Sequence, residues 1–498
     1  MGKEGSNKSE WGINIPDDTS EILVPESRPL GQRVWLGVRG LLGGIILKIW
    51  KFLEKAWNIG VAEPKKVIHG VKVGAALSLV SLFYYIRPLY EGAGGNAMWA
   101  VMTVVVVLEY TVGATLYKCI NRATATFLAG SLGLGVHWVA SQTGEKLEPV
   151  ILGISLFIFA SAATFSRFIP SVKARFDYGA LIFILTFTLV SVSGYRVDEL
   201  FDFAHQRLST IVIGASLCIL ISLLFCPVWA GTELHNLTHS NLEKLSDSLD
   251  GISGCFGRYF TSNGDEDFSF KVEEYKCVLN SKATEESMAN FARWEPSHGR
   301  FNFRHPWKQY LEVGASLRSC ANCIQTLNGF MNSEIQAPEY LKKHLSSPCT
   351  KLSFYASKVL KELTNTVKTM TKPSNTDLST GFGDMRHAAQ ELQNALKSLA
   401  NYVPATAPAP TSGAVAKAEP TTKTSPPPVM EVLPLVTLIS LLIETARKVE
   451  DIVDSINELA RLAEFKPVTS KRVNQNEPNN KLTSSIPDRQ TTKNPTEA

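Results

Sequence analysis

Acidic residues are scarce in the long apolar stretches of this 498-residue chain, and that scarcity narrows its chemistry before any motif is read. Proton-coupled membrane transporters carry Asp, Glu or His relays inside their spans, and little of that kind occurs here. An enzyme needs a nucleophile or an acid–base pair within hydrogen-bond reach; no such constellation stands out, so no catalysis is expected. The eight cysteines do not form a disulfide framework. Cys119, Cys218 and Cys226 fall in or beside apolar runs and the rest lie in polar sequence, which suits a reducing compartment. Cys320 and Cys323 make one C-x2-C pair where a structural zinc site wants four ligands. His235 and His239 lack the intervening glutamate of a metalloprotease helix and read as a solvated face. No metal or cofactor is expected. With a net charge of +4 the chain has no overall basic footprint, and no nucleic-acid partner is expected.

What the chain does have is unevenly distributed. Its mean hydropathy of +0.02 is too high for a disordered chain and too low for one that is membrane throughout. A single core rarely grows beyond about 250–300 residues, so at least two structural units are expected. Apolar runs recur at Val67–Ile86, Ala97–Leu108, Ala123–Ala140, Pro149–Phe165, Gly179–Ser193 and Leu208–Trp229. A helix needs roughly 20 apolar residues to cross the hydrocarbon core, about 17 at the least. Six spans are the best count, the second being the least secure. The fold expected is an all-α membrane protein, a six-span bundle at 64–230 joined to a polar helical domain. Glycines are dense inside the runs and let helices approach closely.

The short loops orient the bundle. Lys118, Arg122, Arg167, Lys173 and Arg175 follow the second and fourth spans, whereas Glu91, Glu145, Glu148, Asp198, Glu199 and Asp202 mark the other loops. By the positive-inside rule both termini face the cytosol. Ahead of the bundle, Lys48, Lys51 and Lys55 interleave with Trp50, Phe52 and Trp57, so 33–63 reads as an amphipathic helix on an anionic membrane surface. Leucines at 234, 237, 242, 245 and 249 open a cytosolic helical domain at 231–403. A Pro/Ala/Thr-rich linker at 404–429 and a helix at 430–465 that packs on that domain follow. Residues 1–32 and 466–498 read as disordered.

Ionisable groups inside spans cost about 2.5–3.5 kcal/mol at a helix centre on insertion scales, so each needs a reason. The candidates are cations: Lys72 in the first span, Lys118 and Arg122 at the mouth of the second and third, and Arg207 at the start of the last. Long side chains near span ends can simply snorkel to the headgroups. A bundle with basic groups at both mouths and almost no intramembrane acid suits passage of an anion.

Long strings carry a resemblance. The segments AMWAVMTVVVVLEYTVGATLYKCINRATATFLAG (97–130), VKARFDYGALIFILTFTLVSVSGYR (172–196) and RLSTIVIGASLCILISLLFCPVWAG (207–231), with RWEP at 293–296, resemble the plant aluminium-activated malate transporter family of anion channels. The resemblance implies a homodimer with six spans per subunit and a pore lined by Lys and Arg. It implies malate, other organic anions, chloride and nitrate as permeant ions. On the matching strings Arg122 and Arg207 correspond to pore residues, Lys118 and Lys72 to basic positions with weaker claims. Trp294, Glu295 and Pro296 correspond to the family's Trp-Glu-Pro motif, read as a packed turn or a gating element. Asp202 corresponds to one external cation-sensing acid, but the loop RPLYEGAGGN (87–96) offers only Glu91. A single carboxylate is a poor site for so hard a cation, and aluminium activation is not implied. The expected function is passive conduction of malate or inorganic anions across the plasma membrane or, less in favour, the vacuolar membrane. A proton- or exchange-coupled carrier and a membrane-anchored scaffold are the alternatives.

Overall fold

The computed structural model describes residues 30–86, 97–144, 146–194, 200–261, 274–302, 304–331, 339–372, 377–402 and 429–467. The linker 404–429 lies outside them up to 428, as do both chain ends, Glu91 and the side chain of Asp202. The chain divides into two compact units, Met1–Val71 and Lys72–Ala498.

α1 (Leu30–Ala62) is followed at once by α2 (Pro64–Tyr85), and the first unit ends within α2. Pro64 explains the break: it disfavours helical geometry at Glu63 and is itself well suited to a first helical position. From Ile45 to Val61 the large apolar side chains are exposed, Trp50 at 68% and Trp57 at 75%, with Lys48, Lys51 and Lys55 among them.

In the second unit the apolar runs form α3 (Ala97–Val107), α4 (Val112–Ser141), α5 (Glu148–Ser166), α6 (Pro170–Gly194) and α7 (Leu200–Leu224). Four helices among the described residues are long and apolar enough to cross a bilayer: Val112–Ser141, Glu148–Ser166, Pro170–Ser193 and His205–Leu224. α2, whose run carries only Lys72, is not among the four, and α3, with eleven residues, is shorter than the bilayer core. Thr111 caps α4, its Oγ1 accepting from the Ala114 N–H at 3.3 Å. Close approaches rest on glycine. A Cβ on Gly214 of α7 stands 2.9 Å from the Ala100 carbonyl oxygen of α3, and one on Gly133 of α4 stands 2.7 Å from Val190 of α6. Helix α5 buries only Leu152, so its remaining apolar surface is available to lipid.

After a short break α8 (Ala230–Thr261) starts the polar region. There α9 (Tyr275–Leu279), α10 (Lys282–Ala292), α11 (Trp307–Met331), α12 (Glu339–Thr369), α13 (Asp377–Tyr402) and α14 (Val429–Leu462) share one apolar core. The expected stripe is there: Leu234, Leu242, Leu245 and Leu249 are fully buried. α14 packs along α11 and α12, and a two-residue parallel pairing of β1 (Thr371–Lys372) with β2 (Lys466–Pro467) fastens its end. Buried Glu285 gathers α8, α10 and α11 by accepting from Ser281 Oγ at 2.6 Å, from Asn241 Nδ2 at 3.4 Å and from Arg318.

One expectation is corrected here. His235 is not on a solvated face; it is buried beneath Phe301 and lies 3.0 Å from Tyr310 Oη, which also lies 3.3 Å from His305 Nε2. The phenol thus bridges two neutral imidazoles, donating to one and accepting from the other. Burial, the largest cause, pushes both histidines down to about 4 from the ordinary 6.5.

A folded-state value below the unfolded one means that acid favours the unfolded chain. The stabilisation is complete above pH ~6.5 and is lost between there and pH ~4, on the order of 3 kcal/mol per histidine. Melting temperatures of the purified protein should fall over that window. His235→Gln combined with His305→Gln should flatten the fall; an identical slope in that variant contradicts the assignment.

Candidate functional site

The bundle holds its cations in two different ways. Lys118 is neutralised: it pairs with Glu109 at the end of α3, donates to the Val106 carbonyl at 3.2 Å and lies over the Tyr178 ring. Lys72 is buried and donates to the Cys226 carbonyl at 2.9 Å, satisfying the chain where it leaves α7 in a left-handed turn (φ 41° at Cys226). Neither lysine is offered to a passing ion in this arrangement.

The arginines differ. Arg122 on α4 is 5% exposed, and Nη1 reaches Tyr178 Oη at 3.3 Å, while Nε has no acceptor among the described residues. Arg207 on α7 is 3% exposed, its Cζ 4.1 Å from the centre of the Trp99 ring, and Nε and Nη1 have no acceptor among the described residues. Arginine stays protonated under all ordinary conditions. Each charge is therefore buried with donors to spare and, among the described residues, no carboxylate paired to it, an arrangement that costs several kcal/mol unless an anion completes it.

Helix packing sets the level of this pair. Asn121 donates to the Tyr117 carbonyl at 2.9 Å and, across helices, to the Arg175 carbonyl at 3.3 Å. Its Oδ1 stands 3.0 Å from where a Cβ on Gly179 would sit, so α6 crosses α4 beside Arg122. Trp99 and Tyr178 were not singled out in the sequence, because only the fold brings them to arginines far along the chain. Among the described residues, no group of three or more His, Cys, Asp or Glu side chains is placed to hold a metal.

A second feature joins the bundle to the polar helices. Glu295 is 3% exposed, and its carboxylate sits on two helix starts at once. Oε1 accepts from the Ala230 N–H at 2.6 Å and the Gly113 N–H at 3.1 Å, and Oε2 accepts from the Gly231 N–H at 3.0 Å. Helix N-termini expose unpaired N–H groups and the positive end of the dipole, so one carboxylate serves α4 and α8 together. Burial raises its pKa, an effect that the three N–H donors oppose without cancelling. The Val112 N–H also donates to the Val228 carbonyl at 2.9 Å, and Trp294 packs edge-on against Tyr117 at 5.6 Å. The motif was legible, but its partners were not; the only signal was a glycine near the start of each run, Gly113 and Gly231.

A sequence profile described as aluminium activated malate transporter matches residues 57–406. Aluminum-activated malate transporter 10 of Arabidopsis thaliana is 50% identical over 498 residues, covering 96% of this chain and 98% of that protein. Aluminum-activated malate transporter 2 of the same plant is 45% identical over 425 residues (84% and 79%). Aluminum-activated malate transporter 1 of Triticum aestivum is 40% identical over 449 residues (88% and 91%).

Gly113 has no room for a methyl group, because Glu295 Cγ stands 2.9 Å from the Cβ position and the Phe291 carbonyl crowds it too. Gly113→Ala should destabilise the purified protein by about 1–3 kcal/mol through overpacking. Glu295→Ala should cost about 2–4 kcal/mol, since two caps are lost together. Gly135→Ala, with open space at its Cβ position, should stay within roughly 0.5 kcal/mol. Thermal unfolding in detergent reads all three, and equal effects at Gly113 and Gly135 contradict the packing described.

Proposed function

The chain belongs to the aluminium-activated malate transporter family, and we propose that it is an anion channel conducting malate, chloride and nitrate passively through a pore in which Arg122 and Arg207 hold the ion. The observation that carries this reading is the two buried arginines with free donors and, among the described residues, no acid paired to them. A dicarboxylate can engage two guanidinium groups at once, each in a bidentate pair. Mutual repulsion of the cations keeps either from holding it too tightly, and conduction needs binding weak enough for release.

In this reading six helices, α2 to α7, form the membrane domain, the termini and polar helices face the cytosol, and two subunits assemble as a homodimer in the plasma membrane. The shortness of α3 fits a helix that crosses only part of the bilayer beside Arg207, where Trp99 covers the guanidinium face. Glu295 is the coupling element. By holding the starts of α4 and α8 in one carboxylate, it transmits movement of the cytosolic helices to the helix that carries Arg122.

Whole-cell recording tests the pore. With malate, nitrate and chloride exchanged in turn, reversal potentials should follow the anion gradients. Arg122→Glu and Arg207→Glu should each lower the current at least tenfold while the protein still reaches the membrane. Unchanged current and selectivity in both variants contradict the assignment. A reversal potential that tracks the proton gradient, without unitary openings, favours a coupled carrier.

A further inference from the structure

Beside the arginine pair lies a cavity of about 210 Å³ between α4, α6 and α7. Arg207, His205, Thr126, Ser131 and Thr186 line it together with Phe127, Leu134, Val190 and Leu208, and the lining is mostly apolar. Thr126 is 4% exposed and its hydroxyl has no partner among the described residues, and Arg207, whose Nε and Nη1 likewise have none there, lines the same cavity. Thr126 stands one helical turn beyond Arg122 on α4, and Gly130 and Leu134 continue the same face at four-residue steps, so the cavity extends from the arginine pair along one stripe.

This shape does not match malate. A short dicarboxylate has a charge at each end and little apolar surface, whereas the cavity offers one arginine and a lining that is mostly apolar. A dry apolar cavity of about 150 Å³ admits benzene; this one is somewhat larger and carries a guanidinium at its mouth. We propose that it binds a monocarboxylate with an alkyl body of about six to eight carbons, the carboxylate on Arg207 and Thr126 and the chain against Leu134, Val190 and Leu208. The proposal rests on the reading of Arg207 as an anion-holding residue. A bound alkyl carboxylate takes that guanidinium away from malate, so it acts as a blocker from beside the conduction path.

Octanoate is the probe and acetate the control, since the two share the headgroup and differ in the tail. In excised patches carrying malate current, octanoate should block at concentrations at least tenfold below any effect of acetate. Gly130 lines the cavity and has open space at its Cβ position, so Gly130→Leu directs a large side chain into the pocket. It should keep malate current within about twofold of the starting protein and raise the half-blocking octanoate concentration at least tenfold, with Gly130→Ala between the two. Equal potency of octanoate and acetate, or block unchanged in Gly130→Leu, overturns the proposal while leaving the malate reading intact. Radiolabelled octanoate bound to protein in lipid nanodiscs, counted against empty nanodiscs, reads the pocket independently of current. Saturable binding lost in Gly130→Leu supports the site even if no anion current exists, and its absence rejects it.

Discussion

A guanidinium cannot shed its proton, so a buried arginine without a partner must find its counter-charge elsewhere. Arg122 and Arg207 place two such groups in an apolar bundle, with Tyr178 and the face of Trp99 as their contacts among the described residues. Neither is a full anion. Among the described residues Lys118 is spent on Glu109, Arg167 on Asp177 at 2.8 Å and Lys72 on a carbonyl. Arg122 and Arg207 differ in being buried with donors left over, so a mobile anion gains most from entering beside them.

The second dependence is mechanical. Helix α4 carries Arg122, and its first turn is held by a carboxylate that belongs to a distant, polar part of the chain. The same carboxylate holds the first turn of α8, where Trp307 lies against bare Gly231, its Cζ2 2.7 Å from where a Cβ would stand. Around it Trp229 stacks on His298 at 3.9 Å, and the His235–Tyr310–His305 bridge lies behind. A rigid aromatic and hydrogen-bonded block thus backs the residue on which both helix starts depend.

Much of this was legible in the sequence because it is local. The apolar runs announced the bundle helices, and the leucine spacing announced α8. What failed was non-local. Lys118 read as a free cation because its partner, Glu109, sits across the α3–α4 turn, where linear spacing says nothing of distance. His235 read as solvated because Tyr310 and Phe301, which bury it, arrive from other elements. The length of α3 was overstated by one residue only, yet its eleven residues leave it short for a span. Conversely, the cost of a charge in hydrocarbon marked Lys72, Lys118, Arg122 and Arg207 alike without any fold, and only the family resemblance set the two arginines ahead.

The central claim is that Arg122 and Arg207 share a mobile anion, and the most direct measurement is a structure of the purified protein determined with and without saturating malate. Density joining the two guanidinium groups only in the malate sample, and absent from Arg122→Gln, is the result expected. Malate density placed away from both arginines, with the pair left as it stands without ligand, contradicts it.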